Sequence, residues 1–274
     1  MLCLLVLAGP GWSAEWTTDP SGRTAILRLP SAPFPHPSRQ YRDDRTLAFV
    51  PGGLRPGATI DVIVHYHGHR AEAVSDAQRK LLREQLAASG AQAVLLAPQG
   101  PLRASDSAGG KHEEAGGLAR FVREGYAQLV KDQVLPAGAR PGRVILSGHS
   151  GAYRVIAFGL ERGGVDVVEV WLHDGLYGQV ETFRRWASGP GRRLISTHTP
   201  GGGTRAHNLG LAASLRRAGV PVVDDPQRIA GARVAILAVS EGHQQVLHQP
   251  RRFEAFARTI SPAGAGAAAR LEGR

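Results

Sequence analysis

The sequence predicts an α/β fold: a three-layer sandwich in which a mostly parallel sheet is flanked by helices. From Thr46 onward, short runs rich in β-branched residues alternate with amphipathic runs of helical length. Several of the strand runs are apolar throughout rather than alternating, as strands are when both faces of a sheet are covered. Strand–helix repetition of this kind builds parallel sheets with right-handed crossovers. The 274 residues suffice for one domain with a sizeable core, and 42% hydrophobic with 20% charged residues is a globular composition.

Taken in order, the chain opens on the apolar run Met1-Leu2-Cys3-Leu4-Leu5-Val6-Leu7-Ala8, which ends near Trp12-Ser13-Ala14. This resembles the apolar region and cleavage site of a signal peptide and is too short to span a bilayer. Residues 1–14 are therefore expected to be a leader, and the protein to be exported to the periplasm or secreted; a cytoplasmic location is the alternative should the run not act as a signal. Cys3, the only cysteine, falls inside it, so no disulfide framework or thiolate metal site is expected. Runs at 24–29 and 46–50 read as antiparallel strands, with the Pro-rich stretch 30–37 as an irregular segment between them.

The clearest strands are 60–65, 93–97, 143–147, 167–172, 193–197 and 233–239. Helices are expected at 76–88, 117–133, 153–161, 176–187, 205–218 and 244–258. One domain over residues 20–260 is the economical reading, with an Ala/Gly-rich tail, 261–274, expected to be disordered.

The net charge of +10 raises the question of nucleic acid. Nearly all the cations are Arg, with Lys only at 80, 111 and 131. They are scattered rather than gathered into a basic arm or an aromatic-interleaved patch, so neither nucleic-acid binding nor membrane insertion is expected.

In open α/β sheets the reactive groups gather at the carboxyl ends of the strands. The run Arg143-Val144-Ile145-Leu146-Ser147 leads directly into Gly148-His149-Ser150-Gly151-Ala152 and then into a helix. So sharp a strand-to-helix turn strains its central residue and needs small neighbours, which Gly148, Gly151 and Ala152 supply. It would raise the Ser150 hydroxyl above the sheet at a helix N-terminus. The plainer alternative is that Ser150 only caps the helix that follows. A hydroxyl needs an adjacent base, and His243 follows the last apolar strand, where it is expected to open the terminal helix.

The order strand, Ser turn, acid, His resembles the α/β-hydrolase superfamily from about residue 46 to 258, with Ala152 in place of the last Gly of G-x-S-x-G. The resemblance implies a serine hydrolase, most simply a carboxylic ester hydrolase, with Ser150 as nucleophile and His243 as base. The superfamily most often carries its acid after the strand 193–197, but His198-Thr199-Pro200-Gly201-Gly202-Gly203 has no carboxylate there. Asp174, one strand earlier, is the expected acid, with a cap on the helix starting near Leu176 as the alternative role and Glu241, Asp224 and Asp225 as weaker candidates.

The loop Tyr66-His67-Gly68-His69-Arg70 resembles the superfamily's oxyanion loop. The implied donors are the backbone N–H groups of Gly151 and His69. His67 would brace the loop. No cofactor is needed for this chemistry.

Two other readings stand beside this one. His65, His67 and His69 at period two could hold a metal and make a metal-dependent hydrolase, although Gly68 interrupts the strand and no second ligand cluster is evident. A non-catalytic binding protein on a hydrolase fold is the other. For the substrate, residues 175–192 leave room for one helix and turns but no large lid. The polar stretch 98–116, with His198 and Gly201 to Gly203, favours a small polar ester, an acylated sugar or a short peptide over a long acyl chain.

Overall fold

A computed structural model describes residues 14–55, 57–248 and 251–260. All but the last residue of the expected leader, 1–14, and the tail at 261–274 lie outside the described residues.

Ten strands form one sheet in the order β1-β2-β3-β5-β4-β6-β7-β8-β10-β9. They are β1 (Thr17–Asp19), β2 (Gly22–Arg28), β3 (Arg45–Pro51), β4 (Thr59–Tyr66), β5 (Ala93–Pro98), β6 (Arg140–His149), β7 (Val167–His173), β8 (Arg193–His198), β9 (Val222–Val223) and β10 (Val234–Ala238). β1, β2 and β3 pair antiparallel, and β3 joins β5 antiparallel. From β5 to β9 every pairing is parallel.

The uniformly apolar strands are explained by what covers them. Val62, Val64, Val144, Leu146, Val170 and Leu172 face one core, whereas Ile63, Ile145 and Trp171, between them in sequence, face the other. The first core is closed by helices α2 (Gly117–Lys131), α3 (Tyr153–Arg162), α4 (Val180–Ser188) and α5 (Arg205–Arg217), through Phe121, Ile156, Phe183 and Leu215 among others. The second is closed by α1 (Asp76–Ser89) and α6 (Arg252–Ala257), through Leu82, Leu86, Phe253 and Phe256. Alternate residues of one strand thus enter different apolar layers, so neither face of the strand needs polar side chains.

Two helices start later than their sequence pattern predicts. The helix expected from 176 begins at Val180, because Gln179 takes φ 57°. The terminal helix expected over 244–258 begins at Arg252. Residues 243–248 are turns, closed by Gln245 N–H to Gly242 O and His248 N–H to Gln245 O. A helix through that whole range would have carried Pro250 in its interior, where a missing N–H and a ring clash break it. His243 therefore sits in a turn and does not open a helix. Between β7 and β8 there is only α4 with its turns, so no large lid covers the sheet there. No described helix is long and apolar enough to cross a membrane.

Candidate active site

Strand β6 ends at His149, a single 3-10 turn spans Ser150–Ala152, and α3 begins at Tyr153. Ser150 has φ 54°, the left-handed region that costs an ordinary L-residue about 1–3 kcal/mol. The turn is tight enough that a Cβ on Gly148 would lie 2.7 Å from the Cβ of Ala152 and 2.6 Å from Ile156.

Asp174 follows β7 and also takes a positive φ, 45°. Its carboxylate is fully buried and receives three donors. His243 Nδ1 lies 2.7 Å from Oδ2, Thr199 Oγ1 donates to Oδ2 at 3.4 Å, and Thr204 Oγ1 donates to Oδ1. Its backbone N–H donates to Thr197 Oγ1 at 2.9 Å. A carboxylate only accepts, so Nδ1 is the protonated nitrogen of His243, which leaves Nε2 as an acceptor. That Nε2 lies 2.9 Å from Ser150 Oγ. Three residues far apart in the chain thus form one hydrogen-bonded series, and the His243 side chain stays 28% exposed, within reach of a solute. The cap role weighed for Asp174 has no helix to serve, since α4 begins only at Val180. Glu241 is paired with Arg252 at 2.7 Å, and Asp224 lies 3.5 Å from Arg216 at the surface.

Loop residues after β4 pack against the serine turn. A Cβ on Gly68 would fall 2.9 Å from Ser150 Cβ and 2.8 Å from His149 Nδ1, and one on Gly151 would overlap the His69 ring. Only glycine at both positions allows this approach. His69 Nε2 in turn meets Ser107 Oγ at 2.8 Å.

The three alternating histidines have separate partners. His65 Nδ1 bonds Ser147 Oγ at 2.9 Å inside the core. His67 Nε2 accepts from Gly100 N–H and Gln99 Nε2, both at 2.9 Å, so its Nδ1–H donates to the Gly68 carbonyl at 2.7 Å. Burial holds His67 below its ordinary pKa, in keeping with this neutral bracing role. With His69 on Ser107, the rings do not converge, and no group of three or more potential metal ligands occurs among the described residues.

A further Ser–His contact, Ser147 Oγ to His173 Nε2 at 3.2 Å, lies below the sheet's carboxyl edge. Both residues are fully buried, and His173 Nδ1 has no hydrogen-bond partner in the structure. His173 is stacked on Phe256 and close to Phe253, and burial pushes its pKa well down. With no orienting carboxylate and no exposure to a solute, this pair is a core contact.

Several neighbours were not singled out from sequence. Thr199 and Thr204 come from the loop after β8, where the superfamily pattern most often has its acid; here that loop supplies hydroxyls to an acid from the strand before. His149 Nε2–H donates to the His243 carbonyl at 3.0 Å, with ring centroids 4.8 Å apart. Tyr177 stands edge-on to His243 at 5.9 Å. Hydroxyl and aromatic residues in loops carry no spacing signal, unlike the glycine-bounded Ser150, Asp174 after a strand, His243 after the last strand and the glycine-containing loop at His67-Gly68-His69.

The strand order, the serine turn after β6 and the loops around it make an open, mostly parallel α/β sheet that carries a hydrogen-bonded Ser–His–Asp series at its carboxyl edge. Among solved structures the chain is similar to brefeldin A esterase, a bacterial homologue of human hormone-sensitive lipase, with TM-score 0.49 and 15% identity over 94% of this chain and 78% of that one. It is also similar to carboxyl esterase 2 of Tuber melanosporum, with TM-score 0.48 and 14% identity over 92% of this chain and 89% of that one. S-formylglutathione hydrolase from Agrobacterium tumefaciens gives TM-score 0.47 and 12% identity over 88% and 95%. At these values the likenesses assign neither substrate nor mechanism. No protein-family model and no curated protein matches the sequence.

Proposed function

We propose that the protein is a serine hydrolase that cleaves a carboxylic ester through an acyl-enzyme. The observation that carries this reading is the series Ser150 Oγ, His243 Nε2, His243 Nδ1, Asp174 Oδ2, with spacings of 2.9 and 2.7 Å, on a serine held at φ 54°. His243 Nε2 takes the hydroxyl proton as Ser150 Oγ attacks the acyl carbon. Asp174 holds the imidazole in the required tautomer and stabilises the imidazolium that forms. The backbone N–H groups of Gly151 and His69 are the proposed donors to the tetrahedral oxyanion, supported by the close packing of the two segments. His243 then gives its proton to the departing alcohol. Water, deprotonated by the same nitrogen, releases the acid and restores Ser150.

A fluorophosphonate probe tests the reading. Covalent labelling of the native protein at Ser150, with none in a folded Ser150→Ala variant, is the expected result. Labelling that survives in Ser150→Ala, or no labelling of the folded native protein, overturns it.

A further inference from the structure

We infer that Gln99 is a positioning residue for the oxyanion donor: through the His67 imidazole it fixes the peptide between Gly68 and His69, and so the direction of the His69 N–H. This rests on the serine-hydrolase reading. A backbone donor stabilises an oxyanion best when it is aimed before the charge develops. The Gly68–His69 peptide lies beside the nucleophile, where a Cβ on Gly68 would fall 2.9 Å from Ser150 Cβ. The N–H of Arg70, next along the loop, is taken up by the Ala104 carbonyl at 2.8 Å, whereas that of His69 meets no acceptor among the described residues. The loop thus leaves free the N–H that follows the glycine packed on Ser150.

Two backbone N–H groups, which can only donate, decide where the protons lie. That of Ala73 points at Gln99 Oε1 at 2.9 Å, which places the amide oxygen there and turns the Nε2 amino group toward His67. His67 Nε2 then meets two donors, Gln99 Nε2–H and Gly100 N–H, each at 2.9 Å. It can carry no proton of its own, so the ring proton is on Nδ1, which donates to the Gly68 carbonyl at 2.7 Å. That carbonyl and the His69 N–H belong to one planar trans peptide. Holding the oxygen on the His67 side therefore turns the N–H to the opposite side.

The arrangement has little room to relax. Gln99 is fully buried and His67 nearly so, which leaves neither side chain free to exchange its partners for water. Gln99 is itself anchored to the sheet, its N–H donating to the Arg45 carbonyl at 2.8 Å. A Cβ on Gly100 would lie 3.0 Å from His67 Nε2, so glycine there lets the backbone N–H reach the ring. One side chain, from the first residue after β5, thereby holds the loop after β4 at two points, His67 and Ala73.

Nitrogen NMR of the histidine rings, with the His67 signals assigned by their loss in His67→Asn, should show Nδ1 protonated and Nε2 bare near neutral pH. Gln99→Met keeps the length of the side chain but neither donates to the ring nor accepts from Ala73. With folding checked by its thermal transition, its kcat for 4-nitrophenyl acetate should fall about tenfold with KM little changed, the worth of one hydrogen bond. Trifluoroacetophenone reports on the oxyanion directly. Ser150 Oγ adds to its carbonyl carbon, the hydroxyl proton passes to His243 Nε2, and the carbonyl oxygen becomes the oxyanion. Its inhibition constant should rise by the same factor as kcat falls. His67→Leu should lose about 10²-fold in kcat, as for an absent donor. His67→Asn, whose amide N–H can stand where Nδ1–H stood, should recover most of that loss. Native kcat in folded Gln99→Met, an unchanged ketone affinity, a proton on His67 Nε2, or an Asn variant no better than Leu overturns the assignment and leaves the hydrolase reading intact. No ester turnover combined with no fluorophosphonate labelling of the folded native protein overturns the hydrolase reading, and the positioning role with it, whichever ring nitrogen carries the proton.

Discussion

The ring of His149 lies against that of His243 and donates Nε2–H to its backbone carbonyl at 3.0 Å. His149, the residue before Ser150, thereby fixes the turn that carries His243. This matters because His243 has no helix to anchor it and is carried by the turn residues 243–248. Burial lowers the His149 pKa to about 4, so the ring is neutral and holds its donor through the pH range in which the base would act. His149→Phe keeps an aromatic ring but removes the donor. We expect kcat to fall by about threefold to tenfold, the worth of one hydrogen bond, with KM little changed. A change confined to KM would show that the contact does not position the base.

Asp174 depends on the loop after β8. Asp174→Asn should lower kcat by about 10³–10⁴-fold without unfolding the protein, because an amide can donate to Nδ1 and so favour the wrong tautomer. Thr204→Val removes a buried donor to Oδ1 and leaves the carboxylate short of one partner. A loss of about 1–3 kcal/mol in unfolding free energy is expected, together with a fall of roughly tenfold in kcat. Parallel urea denaturation and ester assays check both, and near-normal activity in Asp174→Asn would move the acid elsewhere.

Gly68, in the loop after β4, packs against Ser150. Gly68→Ala would place a methyl 2.9 Å from Ser150 Cβ, below any normal carbon–carbon contact, so one of the two segments must move. Displacing a donor to the oxyanion costs about 10²–10³ in kcat. The same loss is expected here, with substrate affinity largely retained. Wild-type kcat in Gly68→Ala would mean that the β4 loop contributes no donor.

These dependences show what was and was not legible beforehand. The parallel strands from β4 to β8 are readable because each is a short run rich in apolar and β-branched residues between turn residues. The chain positions of Ser150, Asp174 and His243 were readable because each ends such a run. The helix starts at 176 and 244 were misplaced, since apolar periodicity continued through residues whose backbone is not helical, with Gln179 at positive φ. Strands β1 and β9 are too short to show periodicity. Thr199, Thr204 and His149 escaped notice for another reason: their parts come from contacts with residues distant in sequence. A hydroxyl in a Gly-rich loop looks the same whether it faces water or a buried carboxylate.

Buried histidines should make the protein sensitive to mild acid. Burial lowers the pKa of His65 and His112 to about 3 and places that of His173 well below its ordinary value. All three are neutral in the fold but take up a proton near pH 6.5 once unfolded. A depressed folded-state pKa gives stability that is complete above the unfolded value and is lost as pH falls below about 6.5. By pH 5 the loss is on the order of 2 kcal/mol for each residue. Carboxylates contribute mainly below this window, so the histidines dominate between pH 6.5 and 5. His149, held at about 4, and His67, also held down by burial, add to the same loss. The urea midpoint should drop markedly from pH 7.5 to pH 5, and His173→Leu should reduce that drop by about one-quarter or less. A midpoint that does not change over this interval would mean that these rings can charge without opening the core.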